Sequence, residues 1–210
     1  MDATPLPRTL TERILALAPD RSRGVLVAAY ATFLQFGVRR ASMQDIADAA
    51  GISRAALYLH YRNKSEIFRA LMAHYHEAAV SLVAEVLAEE QSPTDALRAA
   101  FAAQTGDAAV EMMASPHADE LLSLKQSAAR DVIAAGHDRL ADVYATWMQA
   151  GVAAGRISMT GAGPDPHVTA QAMLAALDGL KPLGVDREGY AAARDRLAVL
   201  FGRALTPTRP

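Results

Sequence analysis

The sequence predicts an all-α protein of about nine helices: a three-helix N-terminal domain built on a helix-turn-helix, followed by a larger helical domain. Three observations carry this. The chain is alanine-rich and only 6% aromatic, a composition that favours helix over sheet. Its apolar residues recur at three- and four-residue steps along much of its 210 positions. Residues 42–64, SMQDIADAAGISRAALYLHYRNK, spell two short helices joined by a glycine turn. A chain of this length can bury a good core as one or two domains.

Residues 1–19 read as a flexible arm, although Leu10, Ile14, Leu15 and Leu17 leave a short extra helix as the alternative. Asp20 or Ser22 starts a support helix whose Val25, Ala28, Ala29, Thr32, Phe33 and Phe36 face inward, and Gly37 closes it. Arg39 and Arg40 fall in the loop that follows, as a phosphate contact or a solvated pair. Ser42 caps the next helix, with Asp45 completing an acidic variant of the capping box and Ile46, Ala47 and Ala50 forming a narrow apolar face. Gly51 takes the left-handed conformation that turns the chain, Ile52 anchors the turn, and Ser53 caps the second helix.

One long amphipathic helix is expected from Ser65 to about Glu90, carrying Ile67, Phe68, Leu71, Tyr75, Leu82, Val83, Val86 and Leu87. Gln91-Ser92-Pro93-Thr94 breaks it, and a short helix spans Asp95 to about Gln104. Beyond Ser115-Pro116, a periodic segment starting at Ala118 is interrupted by Gly136, and another ends near Gly155. Asp165 caps a helix with Pro166 at its first position, running to Leu180, and a last helix covers about Arg187 to Leu205. The domains are therefore drawn at 20–64 and 65–205, with 65–90 as the connecting helix and 206–210 as a frayed tail.

Charge separates along the chain. Residues 1–64 hold nine Lys+Arg against five Asp+Glu, a formal +4, whereas the remainder holds twelve against eighteen, a formal −6. Such asymmetry points to one face for nucleic acid and a body with another task. With no cysteine, the chain has no disulfide and no thiolate nucleophile or metal ligand. No segment reaches about 18 uninterrupted apolar residues, so the expectation is a soluble, cytoplasmic protein without membrane association.

Within the second helix of the turn motif, Leu57 and Tyr61 point inward, leaving Arg54, Ala55, Tyr58 and His60 on the side that can enter a major groove. Ser42, Tyr58 and His60 can donate to phosphate, and Lys64 supplies a point charge. Arg54 is the candidate for bidentate contact with guanine, and Gln44 could read adenine or touch backbone. Ala55 and Ala56 can only contact a thymine methyl or permit close approach. In order and spacing, Leu26, Ala28-Ala29, Phe33, Gly37, Asp45-Ile46-Ala47, Ala50-Gly51-Ile52-Ser53, Leu57-Tyr58 and Lys64 resemble the TetR-type transcriptional regulators. Many members of that family carry Gly and Thr where this chain has Ala55 and Ala56, and an aromatic ring where it has His60, so no operator sequence carries over.

The resemblance implies a ligand-responsive regulator of transcription: a homodimer on an inverted-repeat DNA operator, governed by a small-molecule effector. Soft and aromatic side chains that could line an apolar effector cavity, or simply fill the core, are Met112, Met113, Tyr144, Trp147, Met148 and Met173. The resemblance also implies that the last two helices pair across a two-fold axis, and the stripe Val168, Ala172, Ala175 and Gly179 with Leu197, Leu200 and Phe201 fits such an interface.

An enzyme is disfavoured. His74 and His76 diverge by about 200° on a helix and His117 with Asp119 and Glu120 reads as an isolated loop cluster, all of them solvated surface, and the glycines of 161–163 follow no strand. No cofactor and no metal site is expected. Repression is the leading reading. The alternatives are an activator or co-repressor-dependent regulator of the same fold, and a ligand-binding or scaffold protein that no longer binds DNA. Ala56 favours the last, while Arg54, Tyr58, His60, Lys64 and the +4 half oppose it.

Overall fold

Glycine and proline set the helix boundaries in the computed structural model, which describes residues 20–180 and 187–208. The arm or helix expected over 1–19 lies outside the described residues, as do residues 209 and 210 of the tail. Among the described residues there are nine helices and no strand. They are α1 (Asp20–Arg40), α2 (Met43–Ala49), α3 (Arg54–His60), α4 (Lys64–Leu87), α5 (Pro93–Ala114), α6 (Ala118–Ala128), α7 (Arg130–Ala153), α8 (Pro166–Gly179) and α9 (Arg187–Leu205).

Two glycines break helices from within. Gly37 leaves the helical region in α1 at φ 74 and ψ 157, so the expected stop is there, but one further turn carries Arg39 and Arg40 instead of a loop. Gly106 does the same in α5 at φ 47 and ψ −173, after which the chain continues helical to Ala114. Gly136 behaves otherwise. It lies buried inside α7, and the interruption falls at Ala129, whose φ of −128 and ψ of 17 separate α6 from α7. A buried glycine within a helix gives up side-chain packing for close approach and need not end the helix.

The chain forms two compact units. Among the described residues, the first comprises those through Ala78 together with Gly106–Ala134, and the second Ala79–Thr105 together with those from Ala135. This division is not the one drawn at Lys64, because the start of α4 and all of α6 are built into the first unit. Its core gathers Leu26, Ala29 and Phe33 of α1, Ile46 and Ala47 of α2, Leu57 of α3, and Ile67, Phe68 and Leu71 of α4. Met112, Leu121 and Ala129 join the same cluster from the returning segment. Phe33 and Phe68 lie tilted with ring centroids 6.4 Å apart. Phe36, expected to face inward with Phe33, is 45% exposed.

In the second unit Leu97, Phe101, Leu140, Tyr144, Met148, Met173, Leu174, Leu177, Tyr190 and Leu205 are buried. Gly151 and Gly202 allow close packing there: a Cβ would fall 2.5 Å from Ile157 Cδ1 at the first and 2.5 Å from Thr94 Cα at the second. Asp165 caps α8 as expected, accepting from the His167 and Val168 N–H groups, with Pro166 at the first turn.

Candidate nucleic-acid interface

The turn motif is assembled by its own short-range bonds. The Asp45 N–H donates to Ser42 Oγ at 3.1 Å, while the Ser42 N–H donates to the Asp45 carboxylate at 2.8 Å, completing the reciprocal capping box of α2. The Ser42 hydroxyl bond, followed by the backbone one, holds the Asp45 carboxyl below its usual range. Gly51 takes φ 66, and the bonds from Gly51 N–H to Asp48 O and from Ile52 N–H to Ala47 O close the end of α2 as a left-handed cap. Ser53 Oγ then accepts the Ala56 N–H at 3.1 Å and starts α3.

A single fully buried side chain anchors α3. Leu57 is 0% exposed in the core cluster, with Tyr61 half-buried beside it after the helix ends. Arg54, Ala55, Tyr58 and His60 are exposed and Ala56 is half-buried. The guanidinium of Arg54 sits over the Tyr58 ring, 5.5 Å from its centroid, and donates to the Tyr58 hydroxyl at 3.3 Å. The candidate base reader and the candidate phosphate donor are thus joined. Gln44 is exposed on α2 and donates to Asp48 Oδ1 at 2.7 Å, so its amide is oriented along the helix. Leu59, which the expected site omits, is 87% exposed on α3. The signal that could have found it is its place two residues beyond Leu57, on the opposite side of the helix.

Lys64 has a structural role that its sequence position does not announce. Its Nζ donates to the carbonyls of Val38 at 2.5 Å, Arg39 at 3.1 Å and Ala41. These are carbonyls at the end of the broken α1, where a helix needs outside donors. The ammonium caps α1, and toward phosphate it can offer charge but not uncommitted protons.

The same end of α1 is held from the returning segment. Ser115 Oγ donates to Leu34 O at 2.7 Å, the His117 ring Nε2 donates to Gln35 O at 3.2 Å, and the Arg39 N–H donates to the Glu120 carboxylate. His117 and Glu120 are therefore not an isolated solvated cluster. On α4, Arg69 forks onto Asp131 at 2.6 and 2.7 Å and also donates to Ala128 O at 2.9 Å. The Arg69 bond, with the Val132 backbone, lowers the Asp131 carboxyl from its ordinary 3.8 to about 2. His76, also expected at the surface, is buried edge-on to Tyr75.

The candidates for an effector site separate. Trp147 lines a groove of about 680 Å³ in the second unit, together with Leu87, Pro93, Val143 and Ile157 and the charged Glu89, Glu90, Asp142 and Arg156. Tyr144, Met148 and Met173 are buried in that unit's core, and the Tyr144 hydroxyl donates to Gln104 Oε1 at 3.0 Å. Burial pushes that phenol well above its usual range. Met112 belongs to the core of the first unit, and the Met113 side chain lies outside the described residues. Among the candidates for an interface between copies, Val168, Ala172, Ala175 and Gly179 are all exposed along α8, Val168 at 59%. On α9 Leu200 is 64% exposed and Leu197 and Phe201 are half-buried.

Residues 25–71 match the family of bacterial regulatory proteins, tetR family. Over 60 residues, 29% of this chain and 29% of the relative, the sequence is 38% identical to the HTH-type transcriptional regulator TtgR of Pseudomonas putida. Over 88 residues, 41% of this chain and 40% of the relative, it is 36% identical to the HTH-type transcriptional activator FasR of Mycolicibacterium smegmatis. These matches thus span well under half the length of either relative. In fold the chain is similar to the reduced form of E. coli NemR, at a TM-score of 0.70 and 17% identity, covering 90% of this chain and 100% of that one. It is also similar to SmeT, the repressor of the Stenotrophomonas maltophilia multidrug efflux pump SmeDEF, at a TM-score of 0.64 and 21% identity, covering 92% and 93%. No described helix is long and apolar enough to cross a membrane.

Proposed function

We propose that the chain, whose residues 25–71 match the tetR family of bacterial regulatory proteins, is a member of that family and acts as a homodimeric repressor of transcription. In this reading two copies place their α3 helices in successive major grooves of an inverted-repeat operator, about 34–36 Å apart. A small molecule bound by the second unit then releases them. The observation that carries the reading is α3 itself: one buried leucine holds it, while Arg54, Tyr58 and His60 face outward from the chain's positive half.

The exposed stripe of α8 supports dimerisation. Small and apolar residues left in water along one helix face are the material of a close helix pair, and a single recognition helix buries little DNA surface. The effector is expected to be small and largely apolar, with Trp147 in the groove as its ring contact. It must bind the state that does not fit the operator better than the state that does, since equal affinity for both shifts nothing. A coupling of about 1–3 kcal/mol weakens operator affinity roughly 5- to 150-fold.

Selection of bound fragments from a random DNA pool, followed by affinities at several salt concentrations, tests this. Enrichment of an inverted repeat with a steep salt slope is expected, because phosphate contacts release counterions. No enriched sequence from soluble dimeric protein at low salt would remove the repressor mechanism. FasR is named an activator, so the sign is read separately, from a reporter driven through the selected site: expression should fall when the protein is present.

A further inference from the structure

The outward pole of the recognition helix carries no hydrogen-bonding side chain. With 3.6 residues per turn, the positions opposite the buried anchor Leu57 are 55 and 59, each within about 20° of that direction. Ala55 and Leu59 occupy them, one turn apart. Arg54 and Tyr58 flank this pole on one side, and Ala56 and His60 on the other. Leu59 is 87% exposed, more than any other large hydrophobic residue among those described. A single exposed leucine is ordinary on a protein surface. This one stands at the centre of the face that meets DNA, between polar flanks, where a helix built for water would carry a polar residue.

The major groove offers such a residue one chemical target. Each base pair presents donors and acceptors there, and thymine adds a methyl group. Leucine against the polar edges would leave them unpaired, at a cost, whereas leucine against a methyl removes apolar surface from water on both partners. We propose that Leu59, with Ala55 one turn before it, is a specificity-determining contact that reads the 5-methyl group of a thymine in each half-site. Alanine at 55 and 56 lets the helix come close enough for the longer leucine to reach the base edge. Arg54, held over Tyr58, reads the neighbouring base pair by hydrogen bonds. This inference rests on the DNA-binding reading above.

Deoxyuridine lacks the thymine methyl and keeps every hydrogen-bonding group, so it isolates the contact. The site selected by the full-length protein is resynthesised with deoxyuridine replacing each thymidine in turn, and affinities are measured for the protein and for Leu59→Ala. At one thymine per half-site, the unsubstituted protein should lose about fourfold in affinity, the transfer cost of roughly one buried carbon group. Leu59→Ala should bind the thymine and uracil forms alike, with an unchanged salt slope because no phosphate contact is removed. Alanine is a strong helix former and Leu59 is exposed, so the variant should keep its circular dichroism and unfolding midpoint. A selected site without thymine, equal binding of both forms by the unsubstituted protein, or full discrimination retained by Leu59→Ala would each overturn the contact while leaving the regulator reading intact. Absence of salt-sensitive DNA binding altogether would instead overturn that reading, and the contact with it.

Discussion

Lys64 stands in the pattern of a DNA-contacting motif, yet its three ammonium protons go to the carbonyls of Val38, Arg39 and Ala41. Charged hydrogen bonds of this kind are worth about 1.5–3 kcal/mol each before side-chain entropy is subtracted. Lys64→Met, which keeps the stem, should lower stability by roughly 2 kcal/mol in urea unfolding, and a loss below about 0.5 kcal/mol would show that the cap contributes little. Arg54 is a different case, because its partner Tyr58 is itself exposed and the pair is free to meet DNA. Arg54→Ala should relax discrimination at one base pair of each half-site by about 1–3 kcal/mol, read by competition between the selected site and its single-base variants. Tyr58→Phe keeps the ring beneath the guanidinium and should cost less discrimination than Tyr58→Ala.

Two glycines show how a positive φ is used differently by neighbouring elements. Gly51 sits at φ 66, and a Cβ added there would meet nothing within 4 Å, so Gly51→Ala adds only left-handed backbone strain, about 1–2 kcal/mol. At Gly37, φ 74, an added carbon meets the Glu120 carboxylate at 2.5 Å and must push it off the Arg39 N–H. At ψ 157 the Gly37 backbone also lies in a region essentially reserved for glycine, so Gly37→Ala should cost at least about 1 kcal/mol more than Gly51→Ala, and equal unfolding midpoints would show that neither this backbone nor the displaced Glu120 bond carries a cost. The fork of Arg69 onto Asp131 adds a pH dependence to the union of α4 with α7. The Asp131 carboxyl is lowered from 3.8 to about 2, so its contribution is present above its unfolded value of 3.8 and is lost as pH falls through about 2. Asp131→Asn should be less stable than the unsubstituted protein above about pH 4, with the difference closing between about pH 4 and 2. A difference independent of pH would assign the effect to packing.

At the scale of the whole molecule, the exposed stripe of α8 is where a second copy is expected. Ala172→Glu with Ala175→Glu adds two like charges to a face that is already in water within one chain, so folding should be spared while sedimentation reports monomers and operator affinity falls at least about tenfold. A dimer of unchanged affinity would move the interface elsewhere. Periodicity and caps make the turn motif legible down to single bonds: Ser42 with Asp45, the left-handed Gly51, Ser53, and Asp165 before Pro166 all sit where their side-chain chemistry puts them. Those are local interactions, settled within four residues of one another, and sequence spacing encodes them directly. Leu59 is equally local but harder to read, since an apolar residue outside the core has no periodic partner to mark it. What sequence spacing could not convey is long-range. Whether Gly136 or Ala129 breaks the helix, whether His117 is solvated or bonded to Gln35, and whether Lys64 meets phosphate or carbonyl all depend on which distant segment returns to α1. By itself, then, the sequence determined the turn motif, its caps and the outward placing of Arg54, Ala55, Tyr58 and His60, because each depends on neighbours along the chain. The tertiary structure alone decided that Gly106–Ala134 completes the first unit, because the freed carbonyls at the end of α1 and the apolar faces of α1 and α4 are satisfied only by residues far away in sequence.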